Sequence, residues 1–223
     1  MLGECYNQLI EKAFEDCVDT LNAKLSGCLF FVEIGAMDGI AHDSLHKHII
    51  SNPGWTGVLV EPLPDMFQKL QENYKATPGL RFENTAITDT NGQAQITRIP
   101  SKNVGQECPE WADGISTLKP EVHIISRYEN LKPYAVQEPV TTMTFPKLVE
   151  KHHITNIDLL QIDTEGYDKE IFDQIWTAGF RPGLIKFEIL YLQHMVILEL
   201  IGLLSANGYA CSVQGEDLIV VKQ

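Results

Sequence analysis

The chain has 223 residues, 44% of them hydrophobic, and a formal net charge of −13, which suits one soluble domain with a sizeable core. That charge argues against a nucleic-acid partner, because such binders carry a basic face that replaces the counterions around phosphates, and no cluster of Lys and Arg is visible. No apolar run reaches the roughly 18 residues that span a membrane, and the start, MLGECYNQLIEKAFEDC, lacks the basic head and apolar middle of a signal peptide, so a cytoplasmic location is expected.

The first 25 residues predict an amphipathic helix, with Leu9, Ile10, Ala13, Phe14, Cys17, Val18 and Leu21 at helical spacing. CLFFVEIG, ending at Gly35, predicts a strand buried on both faces. SLHKHII predicts a short helix that Asp43 can cap. A second strand is expected over Thr56–Pro62, a helix over Pro64–Ala76 with proline at its favoured start, and a third strand over Leu80–Ile87. QAQITRIP continues as an extended segment after the Asn91-Gly92 turn.

From about Ser101 to Val140 the chain is rich in Pro, Gly, Asn and Ser. This predicts a long insertion with little regular structure, and loops of that length in compact domains are usually functional. A strand-like stretch and a helix follow in TTMTFPKLVEKHH, a fourth buried strand in IDLLQID, a helix ended by Gly179, and a fifth strand in GLIKFEIL. A helix over Gln193–Asn207 should turn Leu198, Leu200, Ile201 and Leu204 inward, and YACSVQGEDLIVVK closes the chain as a hairpin. Strands alternating with helices give an α/β fold: a mostly parallel, Rossmann-like sheet with helices on both faces and an antiparallel C-terminal hairpin. One domain is expected over residues 1–223.

The five cysteines, Cys5, Cys17, Cys28, Cys108 and Cys211, are odd in number and scattered. They read as free thiols in a reducing compartment rather than a zinc site or disulfide framework. His152 and His153 read as a helix end, His42, His46 and His48, near the first turn, as surface residues of which one could touch ligand, and Trp55 and Trp176 as packing. Trp111 stands apart because it lies in the insertion.

Acids close three of the expected strands. Glu33 ends the first, Glu61 the second and Asp163 the fourth, with Glu165 two residues on. Ligands on such sheets bind beyond the carboxyl ends of the strands, where strand order reverses. Gly35 and Gly39 bracket the first turn, where glycine allows close approach of a ligand and positive φ. The spacing is not G-x-G-x-x-G, and Glu33 would repel a dinucleotide's pyrophosphate. S-adenosylmethionine carries a sulfonium and an ammonium instead, so an acid beside the turn suits it. Glu61 lies 26 residues after Gly35, near the distance at which an acid accepts hydrogen bonds from ribose hydroxyls.

E-x-G-x-x-x-G after an apolar strand, then V-E-P, then I-D-T-E-G-Y-D, resembles the FkbM family of methyltransferases from about Phe30 to Tyr191. The resemblance implies a class I fold, S-adenosylmethionine as cofactor and methyl transfer to a hydroxyl of a sugar or specialised metabolite. It implies that Glu33, Gly35, Ala36, Asp38, Gly39, Glu61 and Pro62 bind cofactor, with Asn84, Thr85 and Ala86 on the adenine side. Asp163, Glu165 and Gly166 match the motif next to the reacting methyl; Asp163 is expected to touch cofactor, and Asp163 and Glu165 to be catalytic. Ser116 and Thr117 are similar to a Ser-rich element of the family's insertion, and Ser116 and Glu188 are expected to face the acceptor.

The fourth strand is not followed by the (D/N)-P-P-(Y/F/W) that serves amino nitrogens, and an alcohol needs a base or a metal to help remove its proton. Asp163 or Glu165 could be that base; alternatively Asp163, Glu165, Glu188 and His194 could hold a hard divalent ion through oxygen-rich ligation. The metal-free version is preferred here. N-methylation of a small amine or peptide, a non-catalytic cofactor-binding scaffold and a nicotinamide dehydrogenase are the competing functions.

Overall fold

FFVEI has no polar face because helices cover it on both sides: Phe31 packs with one apolar layer and Val32 and Ile34 with the other. In this computed structural model residues 2–105, 107–121 and 123–223 are described, with side chains from residue 13 onward and residue 124 excepted. The first half comprises α1 (Leu2–Lys24), β1 (Phe30–Ile34), α2 (His46–Ser51), β2 (Thr56–Val60), α3 (Pro64–Asn73) and β3 (Leu80–Glu83). Then come β4 (Ala86–Ile87), β5 (Gly92–Arg98), β6 (Ser116–Thr117), α4 (Ile124–Arg127) and β7 (Val136–Met143). The chain continues with α5 (Phe145–His152), β8 (Leu159–Ile162), α6 (Asp168–Thr177), β9 (Leu184–Glu188), α7 (His194–Ala206), β10 (Tyr209–Gln214) and β11 (Asp217–Lys222).

Seven strands form the main sheet in the order β10-β11-β9-β8-β1-β2-β3. β1, β2, β3, β8 and β9 run parallel, and β11 is antiparallel to both β9 and β10. The chain builds outward from β1 to β3 and then returns to place β8 on the other flank of β1. Strand order therefore reverses between β1 and β8, which opens a crevice above their carboxyl ends. A smaller sheet, β4-β7-β5-β6, stands beside that crevice. No helix among the described residues is long and apolar enough to cross a membrane.

Five expectations need correction. Leu80–Ile87 is not one strand: the Asn84 amide donates to the Glu61 carbonyl at 2.8 Å, turning the chain out of the main sheet, and Ala86–Ile87 joins β7 in the smaller one. The insertion is more ordered than its composition suggests, with three short 3₁₀ turns, a helical turn and a core of its own around Ile99, Cys108, Ala112, Ile125 and Leu131. Leu198 is 61% exposed, on the outer side of α7, while Leu200 and Leu204 are buried. His48 is buried against Trp55 rather than on the surface. Asp43 does not cap α2; its Oδ1 accepts from the Leu45 N–H at 2.7 Å, just ahead of the helix. In α1, Phe14 and Val18 are buried, whereas the side chains of Leu9 and Ile10 lie outside the described residues.

Candidate active site

A cavity of about 420 Å³ occupies the crevice at the β1/β8 reversal, within the range of small-molecule sites. Its floor is made by the first turn. Gly35 adopts φ +91°, and its N–H donates to the Val60 carbonyl at 2.9 Å. A Cβ there would lie 1.7 Å from the Asp163 carbonyl oxygen, so only glycine lets the rims of β1 and β8 meet. Met37, also at positive φ, donates its N–H to Glu61 Oε2 at 2.9 Å, while Leu63 N–H donates to Glu61 Oε1 at 2.8 Å. Glu61 thus ties the first turn to the exit of β2 and still faces the cavity.

Charge at this end is densely acidic. Glu33 is 1% exposed; its Oε1 accepts from the Gln161 amide at 3.1 Å, and its carboxyl shares a hydrogen bond with the Asp43 carboxyl. Burial first, then the neighbouring Asp43 carboxyl, pushes the Glu33 pKa well up, and burial also raises that of Asp43. Burial lifts Glu61 to about 8, against the pull of its two backbone donors. Such shifts keep protons on carboxyls that ordinarily ionise, until a cation or hydrogen-bond donor arrives.

The adjoining wall is built by β8, β9 and the insertion. Asp163 is exposed into the cavity, with protein packed around the cavity wall; that enclosure, then Glu165 and Asp168, raises it to about 8. Glu188, at the end of β9, is driven up to about 12 by burial and by Asp163, Asp168 and Glu165. One oxygen from each of Asp163, Glu165 and Glu188 lies within 4.8 Å of the other two. Glu165 sits at φ +56°, a costly backbone for a residue with a Cβ. The insertion holds it there: Thr117 Oγ1 donates to its carbonyl at 2.7 Å. Its Oε2 pairs with His123 Nε2 at 2.7 Å and accepts from the Tyr191 hydroxyl at 2.9 Å.

The profile of the methyltransferase FkbM domain matches residues 33–211, most of the chain and all of this cavity's strand ends. The chain belongs to the FkbM methyltransferase family. No curated protein matches it significantly. Among solved structures it is similar to the METTL16 methyltransferase domain, with a TM-score of 0.51 and 10% identity over 94% of this chain and 66% of that one. It is also similar to the C-terminal domain of precorrin-6Y C5,15-methyltransferase from Rhodobacter capsulatus, with a TM-score of 0.41 and 11% identity over 91% and 86%. The chain thus spans a little under two thirds of the METTL16 domain, and that likeness establishes the Rossmann-like, class I methyltransferase fold.

Of the residues expected at the site, Glu33, Gly35, Ala36, Glu61, Pro62, Thr85, Ala86, Ser116, Asp163, Glu165 and Glu188 line the cavity. Asp38, Gly39 and Asn84 stand behind its wall. Asp38 Oδ1 accepts from the Ile40 and Ala41 N–H groups at 2.9 and 2.8 Å. Gly39 packs where a Cβ would strike Tyr74 and Leu70, and Asn84 bonds the Glu61 and Pro62 carbonyls. His194, at the first position of α7, is exposed and is not among the residues lining the cavity. Sequence reasoning missed Asp43, Gln161, His123 and Tyr191. His123 carries no local signal, because its partner Glu165 is 42 residues away. Asp43 was legible only as a helix cap, and Gln161 only as a polar residue near a strand end.

Proposed function

We propose that this FkbM protein transfers a methyl group from S-adenosylmethionine to a hydroxyl oxygen of a small-molecule acceptor. The observation that carries the reading is Glu33: a buried carboxyl paired with the Asp43 carboxyl beside it, on a cavity that no described lysine or arginine lines. Such a pocket fits a ligand bearing an ammonium and a sulfonium and repels one bearing phosphates. Glu33 would take the ammonium, and Glu61, already fixed by two backbone donors, would accept the ribose hydroxyls. When bound, the cofactor supplies an electrophilic methyl on a positively charged sulfur.

Asp163 and Glu165 then serve the transfer step. Methyl transfer needs the acceptor oxygen in line with carbon and sulfur, so positioning carries much of the rate. The two carboxylates would take up the proton that the acceptor hydroxyl sheds as it is methylated. Support for oxygen over nitrogen comes from Asp163-Thr164-Glu165-Gly166, which offers carboxylates in place of the amino-accepting Asn-Pro-Pro or Asp-Pro-Pro. The test is a methyl-transfer screen over sugars, phenols and amines with isotope-labelled cofactor. Asp163→Asn and Glu165→Gln should bind S-adenosylhomocysteine nearly as well as the parent and turn over about 10²–10⁴-fold more slowly. Full turnover by both variants, or methylated amines alone, would refute the assignment.

A further inference from the structure

We infer that Asp163, Glu165 and Glu188 form a binding site for one divalent cation of the hard, oxygen-preferring class, Mg²⁺ or Mn²⁺. The site rests on the reading above only in its purpose, since ion binding can be measured without methyl transfer. The sequence alone favoured a metal-free base, and the geometry now favours the ion.

Three carboxylates from two strand ends bring an oxygen each within 4.8 Å of one another, and all three face the cavity. Independently of that convergence, Glu188 is 8% exposed and its Oε2 has no hydrogen-bond partner among the described residues. Buried polar atoms are satisfied as a rule, so an orphaned carboxylate oxygen on a ligand cavity points to a ligand. No described lysine or arginine lines the cavity to supply the missing charge. Lys186 lends some charge to Asp163, but its amine is held by Ser44 and by Asp217 at 3.3 Å.

The second layer is arranged as ion sites require. Ile125 N–H donates to His123 Nδ1 at 3.1 Å, so the ring's proton sits on Nε2 and is donated to Glu165 Oε2. Tyr191 donates to the same oxygen. Two donors on one carboxylate oxygen fix its plane, as outer partners of metal ligands do. The three converging groups are all carboxylates, without sulfur or imidazole, which selects a hard ion. Three protein ligands leave positions for water and for an acceptor hydroxyl, whose proton such an ion makes easier to lose.

The test is a Mn²⁺ titration of chelator-stripped protein, read by the loss of the free-ion electron paramagnetic resonance signal, with S-adenosylhomocysteine titrated calorimetrically into the same samples. One Mn²⁺ per chain, displaced by Mg²⁺, is expected. Glu188→Gln and Glu165→Gln should each weaken it at least about tenfold, and His123→Gln by about 10–100-fold. Two variants on different strands guard against one failing to fold, and circular dichroism checks each. Uptake unchanged in both acid variants means adventitious surface binding and overturns the site. So does no uptake at millimolar Mn²⁺ by protein that still binds S-adenosylhomocysteine. Failure to bind either ligand would overturn the reading of the cavity itself.

Discussion

Gly35 and Asp163 meet rim to rim: a Cβ on the glycine would fall 1.7 Å from the aspartate's carbonyl oxygen. The turn expected to hold cofactor and the loop expected to hold acceptor are therefore one joined structure, closed by Asp163 N–H donating to the Ile34 carbonyl at 2.9 Å.

A substitution at Gly35 consequently acts on folding before it acts on binding. From the sequence, a branched side chain here would be expected to block the ligand; in the structure it collides with backbone at φ +91°. Gly35→Ala should lose at least about 3 kcal/mol of stability from strain and overlap, measured by urea unfolding. Parent-like stability in that variant would mean the two rims can part.

Stability of the ligand-free protein should fall as pH rises through neutrality. Glu61 has a folded pKa of about 8 against an ordinary value of 4.5, so the native state binds more protons in that window. By linkage its stabilising contribution is full below the unfolded value and is lost as pH climbs through the folded one. Melting midpoints taken from about pH 5 to pH 8.5 should decline, and Glu61→Gln should flatten part of the decline. Because the net charge of −13 pushes the same way, the difference between variant and parent is the informative quantity. Identical slopes would show that Glu61 is ionised in the empty site.

His123 and Tyr191 should act on turnover through Glu165. His123→Gln and Tyr191→Phe each remove or weaken a donor to its Oε2. In each, kcat should fall about tenfold or more while KM for S-adenosylmethionine stays near the parent value, because both residues bond Glu165. A rise in that KM with kcat preserved would place the pair in cofactor binding instead.

The parallel sheet was legible because strands buried on both faces cannot alternate polar and apolar residues, and CLFFVEIG, TGVLV and IDLLQID do not. Any one acid at a strand end reads as a solvated terminus, but Glu33, Glu61 and Asp163 together with the Gly35–Gly39 turn mark a site. Asn84 hid the split of the third strand, since a side-chain bond to the Glu61 carbonyl leaves no trace in periodicity. The insertion hid His123, because its small core around Leu131 and Ile125 joins residues without regular spacing. Leu198 misled because α7 is apolar all round, and periodicity cannot choose a buried side for such a helix.

Calorimetric titration of S-adenosylhomocysteine into the parent and Glu61→Gln proteins tests the central claim most directly. One site per chain is predicted in the parent. Affinity should drop at least about tenfold in the variant, because a hydrogen bond to a charged acceptor is worth about 1.5–3 kcal/mol. No binding by the parent, or equal binding by folded Glu61→Gln, would contradict the assignment of this cavity to the cofactor.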